Sequence, residues 1–303
     1  MARLRNPSDG KELLLRKNHL IGRAPSSDLV IDGARVSLQH ACIRWTANGW
    51  ELKDLGSLNG TQVNGSGVEL RALERGDRIS FGHGDELWEL VDATGPELMV
   101  VSQSGRITLT ADDAIVAIPR AEEPKASVYR NSKGTWVLER TDDLVELTDQ
   151  QAFDVDGERW IFHSPEAVQQ TSSVADLVPQ RIETVVLHFE VSSDEEFVGL
   201  RAESGGHLVD LGSRAHNYLL LTLARKKLSD VAENVRATGC GWVYQDDLLR
   251  DLKVTPGQLN LDIFRIRKQF GALDVVDSAS IVQRRPLTKQ IRIGTGHILE
   301  TRA

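Results

Sequence analysis

IGRAPSSDLV (residues 21–30), VSLQHACIRW (36–45) and WELKDLGSLNGTQVNG (50–65) place one arginine, one serine, one asparagine and several glycines between short apolar alternations. Ala41 to Trp45 and Trp50 to Lys53 alternate in the manner of half-buried strands, and Asn48-Gly49 between them suits the positive φ angles of a tight hairpin. The pattern predicts antiparallel strands whose loops hold the polar residues. Arg23 offers a planar fork of N–H donors, and Ser37 a hydroxyl beside its own backbone N–H, which are the donors a phosphate dianion needs. Each charge-assisted bond is worth roughly 1.5–3 kcal/mol, so a few of them with some peptide contacts reach about micromolar binding.

Gly22-Arg23, Ser37 with His40 three residues on, and Leu55-Gly56-Ser57-Leu58-Asn59-Gly60-Thr61 running on to Val63-Asn64-Gly65 resemble a forkhead-associated (FHA) domain over roughly the first 92 residues. That family is a phosphothreonine-reading β-sandwich. The resemblance implies that Arg23 and Ser37 grip the phosphate, that Asn59 bonds the peptide backbone, and that His40, Gly22 and Gly60 support the loops. Arg35 stands where some members reach the third residue after the phosphothreonine, implying a preference for Asp or Glu there. Leu38 and Leu58 depart from the family, replacing a basic and a hydroxyl residue, and both changes subtract phosphate donors. Ser37 and His40 do not spell a hydrolase, because no Gly-x-Ser-x-Gly elbow surrounds the serine and no acid is placed to orient the histidine. Asn59-Gly60-Thr61 and Asn64-Gly65-Ser66 match the glycosylation pattern, but without a secretory signal they read as turns.

With 303 residues, 40% hydrophobic and 26% charged, the chain is long enough for two or three globular domains. Its longest apolar run, Tyr218 to Ala224, falls short of the ~20 residues that span a bilayer. A cytoplasmic protein with no membrane partner is expected. Cys42 and Cys240 have no disulfide or metal-ligand spacing, and no catalytic, metal or cofactor set is clustered in the sequence. The net charge of −8 is uneven: residues 1–180 hold 19 basic and 28 acidic residues, residues 214–303 hold 15 and 9. A locally basic C-terminal part is what a nucleic-acid surface requires.

The expected organisation is multidomain: an all-β FHA sandwich over 1–94, a second, degenerate FHA-like β domain over 97–165, a linker over 166–183, and an α+β winged helix-turn-helix over 184–303. Ala41 to Leu52 and Ala126 to Leu138 share a strand, Gly turn, Trp-x-Leu order, which suggests an internal repeat. The second copy lacks Gly-Arg and Asn-Gly-Thr, with Glu122 and Lys125 where the serine and histidine fall, so no phosphate clamp is expected in it. EAVQQTSSVADLVPQ (166–180) reads as the linker, with Thr171, Ser172 and Ser173 as exposed hydroxyls.

Beyond it, strand-like Val185 to Val191 and Phe197 to Leu211 precede helical patterns at Arg214 to Lys227, Gln245 to Leu252 and Pro256 to Phe270, then Val275 to Asp277 and two strands around a basic turn within 281–293. Leu259, Ile263, Ile266 and Phe270 form one apolar helical stripe. This order resembles the DNA-binding effector domain of response-regulator transcription factors. By that resemblance the third helix enters the major groove and the hairpin contacts phosphates, implicating Asn260, Arg265, Arg267 and Lys268 on the helix and Arg284, Arg285, Lys289 and Arg292 on the wing. Asp262 opposes phosphate, and Phe264, if exposed, suits a protein partner. The expected function is a bacterial-type regulator without enzymatic activity. It binds a threonine-phosphorylated partner from a Ser/Thr kinase pathway at one end and double-stranded DNA at the other; the alternative is an adaptor whose winged helix binds protein. Oligomeric state is not legible.

Overall fold

The computed structural model describes residues 2–82, 87–165, 180–273, 275 and 277–302. Most of the expected linker, with Thr171, Ser172 and Ser173, lies outside the described residues. The chain divides into two compact units, the first holding residues up to Glu97 and the second holding 98–162 together with the C-terminal part.

In the first unit a five-stranded sheet runs in the order Leu29–Val30, Asn18–Gly22, Ala41–Thr46, Gly49–Asp54, Leu70–Ala72. A six-stranded sheet runs Glu12–Leu14, Arg3–Arg5, Leu87–Asp92, Arg78–Phe81, Thr61–Val63, Ser66–Val68. Strand alternation turns Ile43, Trp50 and Leu52 of one sheet and Ile79, Trp88 and Leu90 of the other into a single core, which makes a sandwich. The hairpin closes with Trp45 opposite Trp50. Only Gly49 there takes positive φ, +109°, because Thr46 Oγ1 accepts from Asn48 N–H (3.2 Å) and fixes the turn. Asn64 and Gly65, at φ 53° and 80°, make the paired left-handed turn that joins Thr61–Val63 to Ser66–Val68.

The middle part of the second unit has two four-stranded antiparallel sheets. One is ordered Thr108–Thr110, Met99–Ser102, Glu158–His163, Ala152–Val155, the other Ile115–Ile118, Ala126–Arg130, Trp136–Arg140, Leu144–Glu146. Between them lies a core that includes Val100, Val116, Val128, Leu138, Trp160 and Phe162. The second sheet is buried on its other face too, through Ile115, Ala117, Tyr129 and Val137. Burial on both faces is why IVAI (115–118) is continuously apolar rather than alternating.

The C-terminal part opens with a sheet ordered His207–Ser213, Val198–Ser204, Val186–Val191, His297–Arg302, the last pair parallel. Phe197 to Leu211, expected as one strand, is broken by Gly205 and Gly206 at positive φ into a hairpin. Helices α1 (Asn217–Ala232), α2 (Gln245–Leu252) and α3 (Pro256–Gly271) follow, α1 starting three residues later than the pattern suggests. Thr255 caps α3 by accepting from Gln258 N–H (3.2 Å), and Pro256 fits its first turn, where no N–H partner is required. The stripe Leu259, Ile263, Ile266, Phe270 packs into the C-terminal core. A 3-10 turn, Ser278–Ile281, then leads into strands Val282–Arg285 and Gln290–Ile293, which pair with each other, the second also pairing with Val243–Tyr244. Val275 and Asp277 belong to no strand, and Asp277 accepts from Ile182 N–H (2.8 Å). Among the described residues no helix is long and apolar enough to cross a membrane.

Candidate functional site

Three loops of the first unit meet where the polar motif residues stand. Arg23 N–H donates to the Ser37 carbonyl (2.9 Å) and Ala24 N–H to that of Leu38 (3.0 Å), zipping the 22–24 and 36–38 segments together. Gly22 makes this approach possible, since a β-carbon there would lie 2.2 Å from the Leu38 carbonyl oxygen. Gly22→Ala is therefore expected to push the two loops apart and weaken phosphopeptide binding by at least about tenfold, with a loss of 1–3 kcal/mol in stability, read together by anisotropy and denaturant melts.

His40 braces the site from beneath. It is fully buried, packs edge-on against Phe81, accepts from Ser37 N–H through Nδ1 (3.1 Å), and so carries its proton on Nε2, which donates to the Gly60 carbonyl (3.1 Å). The Ser37 backbone N–H, expected to face a phosphate, is thereby committed to the histidine. Ser37 Oγ accepts from Leu58 N–H (3.1 Å), which ties the third loop to the second and leaves the hydroxyl proton as a donor for a ligand. Arg23 Nε donates to the Val36 carbonyl (3.2 Å), leaving the terminal nitrogens of its exposed guanidinium to meet an anion. Asn59 Nδ2 donates to the Arg35 carbonyl (2.8 Å), so that the amide's remaining hydrogen and its oxygen are what it has for a peptide. Gly60 holds φ +75°, with open space around it.

Sequence reasoning missed two parts of the frame. Asp54 accepts from Gly56 N–H, Ser57 N–H, Ser57 Oγ (2.6 Å) and Thr61 Oγ1 (2.6 Å), and so shapes the whole 54–61 loop. Burial alone would raise its pKa, but these hydrogen bonds hold it below the usual carboxylate range. Its signal was available: an Asp two residues before a Gly, in the manner of an Asx turn. Gly82, at φ +71°, sits where a β-carbon would come 2.4 Å from the Arg35 carbonyl oxygen. Leu38 and Leu58 are 59% and 90% exposed, so the two family departures present apolar side chains at the rim of the site.

Burial lowers the pKa of His40, against the pull of the Gly60 carbonyl and Asp54, and burial lowers that of His19 to about 4. Both rings are neutral in the folded unit, whereas the unfolded chain takes up protons near the ordinary 6.5. Their contribution is complete above that value and is lost as pH falls through the folded values. The first unit is thus expected to lose on the order of 2 kcal/mol between neutral pH and pH about 4, measured by denaturant midpoints.

The residues implicated in DNA contact are placed differently from expectation. Arg267 is 1% exposed; its Nη1 and Nη2 donate to the Glu139 carboxylate (2.8 and 2.9 Å), and its guanidinium lies 4.3 Å from the centre of the Tyr129 ring. Arg284, 6% exposed, lies 3.5 Å from Glu139 and donates to Asn260 Oδ1 (2.7 Å). Asn260 donates to Thr141 Oγ1 (3.2 Å), Lys268 pairs with Asp112, and Lys289 lies 3.8 Å from Asp142. Arg285 and Arg292 stack on Trp242 at 3.9 and 4.5 Å, and Arg265, half exposed, stands 4.0 Å from Asp262. Phe264 is buried against Ile115, Ala117, Tyr129 and Val137. For Asn260, Arg267, Lys268, Arg284 and Lys289 the reason is shared, because residues of the middle part stand opposite them, whereas Arg285 and Arg292 are held on Trp242 and Arg265 stays half exposed. Burial would raise the Glu139 pKa, but the two arginines keep it ionised.

Residues 19–82 match the family model of the FHA domain, and this segment of the chain is an FHA domain, a module of phosphothreonine-dependent signalling. The glycogen accumulation regulator GarA of Mycolicibacterium smegmatis is 37% identical over 94 residues, which are 31% of this chain and 57% of that protein. The oxoglutarate dehydrogenase inhibitor of Corynebacterium jeikeium is 39% identical over 79 residues, 26% of this chain and 55% of its own. The chain spans a little over half the length of these curated relatives, and the likeness covers only the FHA part. Among solved structures, Mycobacterium tuberculosis EmbR in complex with a low-affinity phosphopeptide is 30% identical, covering 31% of this chain and 25% of its own with a TM-score of 0.29.

Proposed function

We propose that the protein is a phosphothreonine-dependent regulator. Its FHA segment docks a partner phosphorylated by a Ser/Thr kinase, with Arg23 and Ser37 on the phosphate, Asn59 on the peptide backbone and Arg35 toward an acidic residue beyond the phosphothreonine. The observation that carries this reading is the Ser37 arrangement: its amide is held by His40 and its oxygen by Leu58 N–H, so the hydroxyl proton is presented beside an arginine already anchored on Val36. Relatives that share this segment are named as a regulator and an inhibitor, which supports control of other proteins rather than catalysis.

The output is proposed to lie in the C-terminal part, read as a winged helix that regulates transcription by binding duplex DNA. Supporting this are the order of sheet, three helices and hairpin, and the basic excess of 15 over 9 in residues 214–303. The second reading, an adaptor with a protein-binding winged helix, is favoured by the fact that α3 already uses its outward face on protein.

Fluorescence anisotropy with one peptide in phosphorylated and plain threonine forms tests the first half. Capture of the phosphorylated form alone is expected, and equal capture of both removes the reading. A salt-titrated duplex added to the same chain separates regulator from adaptor, since binding through phosphates weakens steeply with salt.

A further inference from the structure

The middle sandwich meets the surface that the DNA reading needs. Five of the eight residues expected to touch DNA, Asn260, Arg267, Lys268, Arg284 and Lys289, face Thr141, Glu139, Asp112, Glu139 and Asp142 respectively. Carboxylates thus sit on α3 and the hairpin where phosphate oxygens would otherwise sit. At the end of α3, Gly271 lets the helix touch the 112–114 turn so closely that a β-carbon would come 2.2 Å from the Asp113 carbonyl oxygen.

The middle core contains only residues of the sandwich, and the C-terminal core only residues beyond 180, so each closes without the other. Between them lies a small separate cluster of Ile115, Ala117, Tyr129, Val137, Phe264 and Ala279. Its polar edge is incompletely satisfied: Arg267 Nε and Arg284 Nε make no hydrogen bond, the latter standing 3.5 Å from Glu139 Oε1, and the two residues help line a cavity of about 20 Å3. The outer pairs are wet, with Lys268 and Asp112 42% and 52% exposed and Lys289 and Asp142 62% and 76%. A buried ionic centre with exposed outer pairs, lying between two separately closed cores, has the composition of an interface between domains more than that of a single core.

We propose that the middle sandwich is an intramolecular blocker, an acidic sheet that occupies the nucleic-acid face of α3 and must separate from it before duplex DNA is bound. This rests on reading the C-terminal part as a DNA-directed winged helix. Opening exposes Arg267 and Arg284 along with Asn260 and Lys268, which are otherwise committed to the sheet.

The test uses the full chain and two variants that keep every basic residue of the proposed DNA face. Gly271→Ala wedges the α3 terminus against Asp113, and Asp112→Asn removes the carboxylate that pairs with Lys268 while leaving that cation in place. Hydrogen exchange of the α3 amides reads separation, and anisotropy of a mixed-sequence duplex at low and high salt reads binding. Faster α3 exchange with a rise in duplex affinity of about tenfold or more for Gly271→Ala, and a smaller parallel rise for Asp112→Asn, is expected. Wild-type chain that binds duplex as tightly as the variants while α3 stays protected overturns the blocker and leaves the DNA reading standing. Exposed α3 without a gain in duplex binding overturns the DNA reading and the blocker with it. Protection unchanged in both variants shows a permanent core and overturns the blocker alone.

Discussion

Arg23→Ala is expected to weaken capture of a phosphothreonine peptide by roughly 30- to 1000-fold while the first unit stays folded. The terminal nitrogens of Arg23 supply the charge-assisted bonds, worth about 1.5–3 kcal/mol each before solvent screening reduces them at an exposed side chain. The fold barely depends on that side chain, whose only described bond is one from Nε to the Val36 carbonyl. Arg23→Lys restores little, because an ammonium has neither the fork nor the anchoring Nε. Ser37→Ala is expected to cost about tenfold, since it removes a single hydroxyl donor and strands Leu58 N–H, which had been donating to it. Isothermal titration with phosphorylated peptide, beside circular dichroism of each variant, decides the matter. Undiminished affinity in Arg23→Ala places the phosphate elsewhere.

Glu139→Ala carries the second large effect, a loss of about 3–5 kcal/mol in the second unit with the first unit unchanged. Glu139 is 4% exposed and is the counterion of Arg267 at 1% and Arg284 at 6%, so its removal leaves two buried guanidiniums facing each other. Tyr129 loses its hydroxyl acceptor in the same step. The loss is capped by the free energy of parting the sheet from α3, because once apart the arginines reach water. Denaturant unfolding followed by segment-resolved hydrogen exchange distinguishes the cases: full destabilisation slows nothing and shifts the second-unit midpoint, while parting speeds exchange in α3 with both cores still protected. A shift below about 1 kcal/mol with α3 still protected contradicts a buried ion pair.

How far the chain could be read in advance follows from how local each feature is. Gly22-Arg23, Ser37, His40 and Asn59-Gly60 lie at strand ends and in loops within 40 residues of one another, and their spacing is dictated by the strands between them, so the motif residues meet in space. Asp54 was legible as a local Asx-turn signal and was overlooked, whereas Gly82 escaped because its constraint is a carbonyl 47 residues earlier. In α3 the stripe Leu259, Ile263, Ile266, Phe270 was visible as a helical period. Phe264, Arg267 and Gly271 form a second stripe at similar spacing, yet nothing in the helix says what covers it.

By itself, then, the linear order of residues determined an FHA β-sandwich at the front and the amphipathic helices and basic hairpin at the back, since turn chemistry and apolar period act over a few residues. Only the tertiary structure decided which of those basic residues meet solvent. Arg267 and Glu139 are 128 positions apart, and a charge finds a buried partner over such a distance only through the packing of whole sheets and helices, which no local period records.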